Sequence, residues 1–87
     1  MADACQHLDQ IDASATPTSP DQCLKCIDMG DVWVNLRLCL SCGNVGCCDG
    51  SKNKHATAHN GETQHPIIQS HMPGETWRFC YVEELTW

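Results

Sequence analysis

The clearest hydrophobic pattern in the sequence is an alternation of apolar and polar residues over positions 32–38. Extended backbone turns successive side chains to opposite faces of a strand. One face then carries Val32, Val34, Leu36 and Leu38, and the other carries Trp33, Asn35 and Arg37. The pattern predicts a strand with one face buried.

Two further strands are predicted nearer the C-terminus. Residues 65–71 contain the apolar pair Ile67-Ile68, and residues 76–82 alternate aromatic side chains with other residues. Pro73-Gly74 lies between the two segments and predicts a type II turn, which needs glycine at its third position. The three strands together predict a small antiparallel sheet.

One short helix is predicted over residues 49–61. Asp49 or Ser51 would cap its first turn, and Gly61 would end it in the left-handed conformation. Residues 12–21 are rich in Pro, Ser and Thr and predict a loop. The expected fold class is therefore α+β, in one domain that spans residues 1–87 with a core over about 5–82.

Composition indicates that something besides apolar packing holds this domain together. A chain of 87 residues with one Phe, one Tyr and three Trp buries little apolar surface, whereas its eight cysteines and five histidines are abundant. The N-terminus lacks the basic and apolar runs of a signal peptide, and no 18-residue apolar segment is present. We expect a cytoplasmic protein whose thiols bind metal rather than pair, and no membrane partner.

The charge balance argues against nucleic acid as a partner. Five basic and 11 acidic residues give a net charge of −6, and the basic residues form no run. Binding to a phosphate backbone relies on clustered Lys and Arg, which this chain lacks. A protein or peptide is the partner class that we expect.

Cysteine spacing supplies the strongest functional signal. Cys23-x-x-Cys26 and Cys39-x-x-Cys42 each have the spacing of a zinc knuckle, in which a tight turn aims two sulfurs at one ion. His55 and His59 lie four residues apart, on one face of the predicted helix. No glutamate stands between them, so the HExxH pattern of metalloproteases is absent and no enzyme is expected.

The ligands divide into three predicted tetrahedral sites. Eight cysteines and five histidines give thirteen potential ligands, and three sites need twelve, so three zinc ions are expected and two are the alternative. Proximity along the chain predicts one site from Cys39, Cys42, His55 and His59 and an interleaved one from Cys23, Cys26, Cys47 and His65. The third site takes Cys5, His7 and Cys80, with Cys48 or His71 as its fourth ligand.

These motifs together resemble the UBP-type zinc finger, also called BUZ, of ubiquitin-specific proteases and one histone deacetylase. The resemblance rests on Cys-x-His, CxxC, "WVNLRLCLSC", His-x3-His and "HP", covers about residues 5–82, and is closest to small stand-alone bacterial members. It implies a twisted antiparallel sheet with one helix, cross-braced by up to three zinc ions. The family's closing cysteine pair is incomplete here because only Cys80 is present, and Cys48 is the expected replacement ligand.

The resemblance also implies a binding pocket with one altered residue. In ubiquitin-binding members, an arginine in a Cys-Gly-Arg step pairs with the free C-terminal carboxylate of ubiquitin between aromatic side chains. Alignment on Cys47 puts Asp49 at the arginine's position, where its charge would repel a carboxylate. Trp77 matches the pocket tryptophan, and Trp33 and Tyr81 are further candidates for the pocket wall.

Three functions remain open at this point. The first is a protein- or peptide-interaction module that has lost capture of the ubiquitin tail, because Asp49 suits an amine or a basic side chain better than a carboxylate. The second is a purely structural zinc-stapled adaptor or subunit. The third is a thiol redox sensor in which Cys47 and Cys48 react and release zinc.

Overall fold

Five short strands form one antiparallel sheet in the computed structural model, which describes residues 7–19 and 21–87 and, for Leu8, the backbone alone. In chain order the elements are a 3-10 helix (Leu8–Gln10), α1 (Leu24–Asp28), β1 (Leu36–Cys39), β2 (Val45–Cys47), α2 (His55–Thr63), β3 (Ile67–Ser70), β4 (Arg78–Cys80) and β5 (Leu85–Thr86). The strands lie in the order β2-β1-β3-β4-β5. The expected α+β fold with an antiparallel sheet and one main helix is confirmed.

The first predicted strand is shorter than its hydrophobic pattern. β1 begins at Leu36, while Val32 and Val34 are 75% and 62% exposed. The backbone N–H of Val34 donates to Ser51 Oγ at 2.8 Å, so at this position the chain bonds to a loop rather than to a neighbouring strand. The alternation of residues 32–35 therefore does not mark a buried strand face.

The other two predicted strands and the turn between them are confirmed. β3 and β4 lie within the predicted segments and pair with each other in antiparallel register. Gly74 has a φ of +79°, and the N–H of Glu75 donates to the carbonyl of Met72 at 3.1 Å, as a type II turn requires. The sequence pattern missed α1, β2 and β5, which span five, three and two residues.

Close packing of α2 against β2 depends on a glycine. A Cβ at Gly46 would lie 2.7 Å from the backbone nitrogen of Ala56, so only glycine lets the start of α2 approach the strand this closely. Cys47 follows Gly46 directly and is thereby brought next to the first residue of α2. This contact holds the start of α2 beside the cysteine at the end of β2.

α2 begins and ends later than the sequence predicted. It starts at His55 with Lys54 as its N-cap residue, without a side-chain capping bond, so neither Asp49 nor Ser51 caps it. It ends at Thr63, and Gln64 rather than Gly61 takes the left-handed conformation, with a φ of 61°. The predicted end at Gly61 was wrong because the helix continues through a glycine that has open space around it.

Cysteines make up much of the hydrophobic core. One hydrophobic core cluster contains Cys23, Cys26, Leu36, Val45 and Cys47, and a second core cluster contains Ile67 and Cys80. Half-buried side chains, among them Trp33 beside the first cluster and Trp87 beside the second, complete the packing. The core therefore forms around groups of sulfur atoms.

The segment before α1 runs along the turn between β1 and β2. The N–H of Asp12 donates to the carbonyl of Leu40 at 2.9 Å, and the N–H of Thr18 donates to the carbonyl of Gly43 at 2.8 Å. The described part of residues 12–21 has no helix or strand, in agreement with the predicted loop. None of the helices in the described part of the chain has the length and apolarity needed to cross a membrane.

Replacement of Gly61 by alanine tests the end of α2. Since Gly61 lies inside the helix and an added Cβ meets nothing within 4 Å, Gly61→Ala should raise the free energy of unfolding by about 0.5–1 kcal/mol. Gly30→Ala is the matched control, because Gly30 has equal space but a φ of +72° and should lose stability. Chemical denaturation measures both; a destabilised Gly61→Ala variant would mean that the helix ends at residue 61.

Candidate metal centres and an adjoining pocket

Four side chains converge at the junction of α1, β2 and α2. Cys23 and Cys26 come from the start of α1, Cys47 ends β2, and His55 begins α2. His55 Nδ1 lies 3.2, 3.3 and 3.6 Å from the sulfurs of Cys23, Cys26 and Cys47, and the sulfurs of Cys26 and Cys47 are 3.8 Å apart. All three cysteines are 0% exposed. We call this group the buried cluster.

A second group of four lies beside the turn that follows β1. Cys39 ends β1, Cys42 lies in the turn, His59 is on α2, and His65 follows α2. The two sulfurs are 3.7 Å apart, Cys39 Sγ is 3.5 Å from His65 Nδ1, and Cys42 Sγ is 3.3 Å from His59 Nε2. Cys42 is exposed and both histidines are half-buried. We call this group the turn cluster.

Both clusters have the dimensions of a tetrahedral zinc site. Zn–S and Zn–N bonds of about 2.3 Å and about 2.0–2.1 Å place two sulfurs about 3.8 Å apart and a sulfur and a nitrogen about 3.5 Å apart. The S–S separations are 3.8 and 3.7 Å, and the S–N separations run from 3.2 to 3.6 Å. With three sulfurs and one nitrogen in one cluster and two of each in the other, the residues fit zinc in number, chemistry and spacing.

The structure exchanges two histidines relative to the sequence prediction. His55 lies with Cys23, Cys26 and Cys47, whereas His65 lies with Cys39, Cys42 and His59. The prediction assumed that histidines four residues apart on a helix share one ion. Because α2 lies between the two clusters, its first residue reaches one cluster and its second turn reaches the other, so that pairing of His55 with His59 was wrong.

Burial makes the buried cluster dependent on a cation. Loss of water around the Cys26 thiol raises its pKa to about 12, which makes the thiolate harder to form unless a cation stabilises it. The backbone N–H of His55 donates to Cys47 Sγ at 3.1 Å, and Asn53 Nδ2 donates to Cys26 Sγ at 3.7 Å. These donors favour a thiolate, the form that binds metal.

Burial also favours the metal-binding form of His59, one of the two histidines in the turn cluster. It lowers the pKa of His59, and the neighbouring His65 lowers it further, so the imidazole is neutral over a wider pH range. A neutral imidazole has the lone pair that a metal ion needs. The thiol of Cys39 behaves like that of Cys26, since burial raises its pKa.

A third, smaller group joins the segment before α1 to the turn between β4 and β5. His7 Nδ1 lies 3.7 Å from Cys80 Sγ and 3.4 Å from Glu83 Oε1, and zinc with nitrogen, sulfur and oxygen ligands would produce similar separations. Glu83 was missed by the sequence analysis, although Cys80-x-x-Glu83 has the spacing of a knuckle with a carboxylate in place of the second sulfur. Cys5, the other predicted ligand, lies outside the described residues.

Cys48 and His71 are not part of the third group. The sulfur of Cys48 lies 3.6 Å from Ser51 Oγ, and the thiol lines a pocket on the sheet. His71 Nε2 lies 3.2 Å from the carbonyl oxygen of Ser19. The structure contradicts both as fourth ligands, because their side chains contact Ser51 and Ser19 and neither belongs to the group of His7, Cys80 and Glu83.

A pocket of about 590 Å³ lies beside the metal clusters, on the sheet. Ile68, Phe79 and Thr86 are successive cross-strand partners and form a row across β3, β4 and β5. The pocket is lined by Arg37, Cys48, Asp49, Gly50, Ile68, Trp77, Phe79, Tyr81 and Thr86. Trp77, Tyr81 and Asp49 thus meet as predicted, whereas Trp33 lines a separate depression with His71 and Met72.

Arg37 is a charged pocket residue that sequence reasoning missed. It was placed on the polar face of the first strand, but its guanidinium carbon lies 4.5 Å from the ring centre of Trp77, a cation–π distance. Arg37 Nη1 also donates to the carbonyl of Leu36 at 3.0 Å. The pocket therefore contains a positive charge, although Asp49 stands at the position of the family's arginine.

A hydrogen-bonded group ties the pocket to α2. Thr57, on α2, donates to Asp49 Oδ1 at 2.5 Å and has its hydroxyl 3.2 Å from that of Tyr81. Burial raises the pKa of Tyr81, against the opposing hydrogen bond from Thr57, and the Asp49 charge raises it further while Arg37 lowers it. The phenol is therefore neutral at physiological pH and donates or accepts hydrogen bonds within the pocket.

Cysteine alkylation of the zinc-loaded protein tests which histidine belongs to which cluster. His55→Ala should increase the alkylation rate of Cys23, Cys26 and Cys47 by roughly 10-fold or more and leave Cys39 and Cys42 protected, because loss of a ligand weakens one site only. His65→Ala is the matched variant and should give the reverse. Peptide mass spectrometry reads each cysteine; the opposite assignment of the two effects would restore the sequence prediction.

The metal count of variants tests the third group. Glu83→Ala should remove one bound ion per chain in native mass spectrometry, because the carboxylate supplies one of its ligands. Cys48→Ala and His71→Ala should leave the count unchanged, since both side chains lie elsewhere. A lower ion count in Cys48→Ala, together with an unchanged ion count in Glu83→Ala, would contradict this assignment.

Comparison with known proteins agrees with this geometry. A search of curated proteins found no match. Among solved structures, the chain is similar to the solution NMR structure of protein RPA1320 from Rhodopseudomonas palustris, with 45% identity and a TM-score of 0.86 over 100% of this chain and 83% of that one. Residues 22–86 match the family model described as the Zn-finger in ubiquitin-hydrolases and other protein. The chain, a small domain with cysteine and histidine clusters suited to zinc, therefore belongs to this UBP-type zinc finger family.

Proposed function

We propose that this zinc-binding domain is a protein- or peptide-interaction module that binds its partner in the pocket between Arg37, Asp49 and Trp77. The observation that carries the proposal is the pocket itself, a concave surface with three aromatic walls and few charged groups. Pockets of a few hundred Å³ with this composition are the usual form of a ligand site. Zinc has a supporting role in this proposal, because it fixes the strands and the helix that surround the pocket.

The metal clusters favour binding over catalysis. The buried cluster and the turn cluster each provide four protein ligands, and a zinc ion with four protein ligands has no open position for substrate. No enzymatic activity is therefore part of the proposal. The seven cysteines in the described residues are all free, which supports a role in a reducing compartment such as the cytoplasm.

The charges of the pocket argue against capture of the ubiquitin tail. One guanidinium and one carboxylate face the same pocket, so its formal charge is zero, and Arg37 already stacks on Trp77. An isolated carboxylate would gain from Arg37 and be repelled by Asp49. A peptide segment that offers an acceptor to Arg37 and a donor or amine to Asp49 suits the pocket better.

An adaptor or subunit role is the second candidate, and a different surface favours it. Apart from Val82, the large apolar side chains most exposed among the described residues all lie between positions 24 and 34; they are Leu24, Ile27, Met29, Val32 and Val34. Exposed apolar residues that gather in one region often mark a protein contact. Leu24 and Ile27 are on α1, and none of the five residues lines the pocket.

Binding of peptides with free or blocked ends, followed by NMR of the zinc-loaded protein, tests the proposed function. Trp77→Ala should weaken the best peptide by about tenfold or more, because a central aromatic side chain usually dominates such an interface. Trp33→Ala is the matched control and should leave affinity unchanged. Equal losses of affinity in both variants, or chemical-shift changes confined to residues 24–34, would favour the adaptor role.

Ubiquitin provides the second arm of this experiment. Intact ubiquitin and ubiquitin without its last two glycines should both fail to shift the Trp77 indole signal of the wild-type domain. Asp49→Arg should gain binding that depends on those glycines, because it restores a net positive charge to the pocket. Tight, tail-dependent binding by the wild-type domain would overturn the charge argument.

A further inference from the structure

The turn cluster contains the one sulfur among the described cysteines that is exposed. Cys42 is exposed, while Cys23, Cys26, Cys39, Cys47, Cys48 and Cys80 are buried. A second sulfur, that of Cys39, lies 3.7 Å from it. The turn cluster therefore combines access from solvent with a neighbouring sulfur.

We propose that Cys42 and Cys39 are an oxidation site for hydroperoxides, at which formation of their disulfide releases the zinc ion of the turn cluster. Exposed thiolates are the ones that peroxides reach, and a nearby second sulfur converts the first oxidation product into a disulfide. The site differs from the Cys47-Cys48 pair suggested by the sequence, because both of those sulfurs are buried and they face different surroundings.

The reaction is a two-electron oxidation. The Cys42 thiolate attacks one oxygen of the hydroperoxide and breaks the O–O bond, which gives a sulfenic acid and a hydroxide or alkoxide ion. The Cys39 thiolate then attacks the sulfenic sulfur, forms the S–S bond and expels hydroxide. Two protons from solvent neutralise the two anions, and the two sulfurs have supplied both electrons. Only His59 and His65 would then remain to hold a zinc ion.

Each of the other described sulfurs lacks exposure to solvent, a neighbouring second sulfur, or both. The buried cluster holds three neighbouring sulfurs, but each is 0% exposed and two accept hydrogen bonds from N–H donors. Cys48 is 6% exposed and its described partner is a serine hydroxyl. Cys80 is 0% exposed and lies with His7 and Glu83 rather than with a second described sulfur.

Release of this ion would reach the pocket through α2. His59 and His65 hold the second half of α2 and the chain after it to the turn at Cys42. Thr57, two residues before His59 on the same helix, bonds Asp49 and approaches Tyr81 in the pocket. The effect on ligand binding rests on the proposed function, whereas the oxidation and the loss of zinc do not.

Graded hydrogen peroxide treatment of the zinc-loaded full chain tests the proposal. A chelating dye measures released zinc, and peptide mass spectrometry locates the oxidised sulfurs. We expect one ion per chain to be released first, together with a Cys39–Cys42 disulfide and with Cys23, Cys26 and Cys47 still reduced. Earlier oxidation of the buried cluster, sulfenic acid accumulating on Cys48, or a disulfide without zinc release would overturn the proposal.

Two variants separate this chemistry from simple loss of the fold. Cys42→His keeps a zinc ligand but removes the oxidisable sulfur, so both the disulfide and the early zinc release should be lost. Cys48→Ser is the matched control and should release zinc at the same peroxide dose as wild type. If Cys42→His does not retain its metal, the Cys48→Ser and wild-type disulfide maps still decide the question, because only Cys39 and Cys42 should pair in both.

Discussion

Contact between sulfur ligands and zinc is the interaction on which this domain depends. A chain of 87 residues seldom gains more than about 3–5 kcal/mol from its hydrophobic core. A structural zinc contributes about 10–16 kcal/mol of apparent binding free energy, which appears as folding free energy when no site exists in the unfolded chain. Buried cysteines lie in both core clusters. Zinc binding therefore contributes more to the free energy of folding than apolar packing does.

The geometry of the two main clusters explains the arrangement of the other elements. Each cluster joins a knuckle to α2 or to the chain after it. One knuckle precedes β1 in sequence, and the other begins at Cys39, the last residue of β1. α2 is therefore fixed at its first residue, His55, by one cluster and at its middle, His59, by the other. A helix held in this way keeps Thr57 in place against Asp49 and Tyr81, and so connects the metal sites to one wall of the pocket.

The sequence predicted features formed by neighbouring residues better than contacts between residues that are distant in the chain. The two knuckles and the strands β3 and β4 depend on neighbouring residues, and their patterns were readable. The exchange of His55 and His65 depends on where α2 packs, which a glycine at position 46 decides through a close backbone contact. Arg37 acts through a contact to Trp77, which is distant in sequence, so no local pattern marked it. Glu83 has a knuckle-like spacing from Cys80, but only its contact with His7, far away in sequence, identifies it as a candidate ligand.

The most direct test of the account is the ¹H–¹⁵N spectrum of the reduced chain after a chelator has removed its zinc at neutral pH. The account predicts that the amide signals lose their dispersion across all five strands and that it returns when zinc is added in stoichiometric amounts. A dispersed spectrum that stays unchanged in the metal-free chain would show that apolar packing alone holds the sheet and α2, and would contradict the central claim.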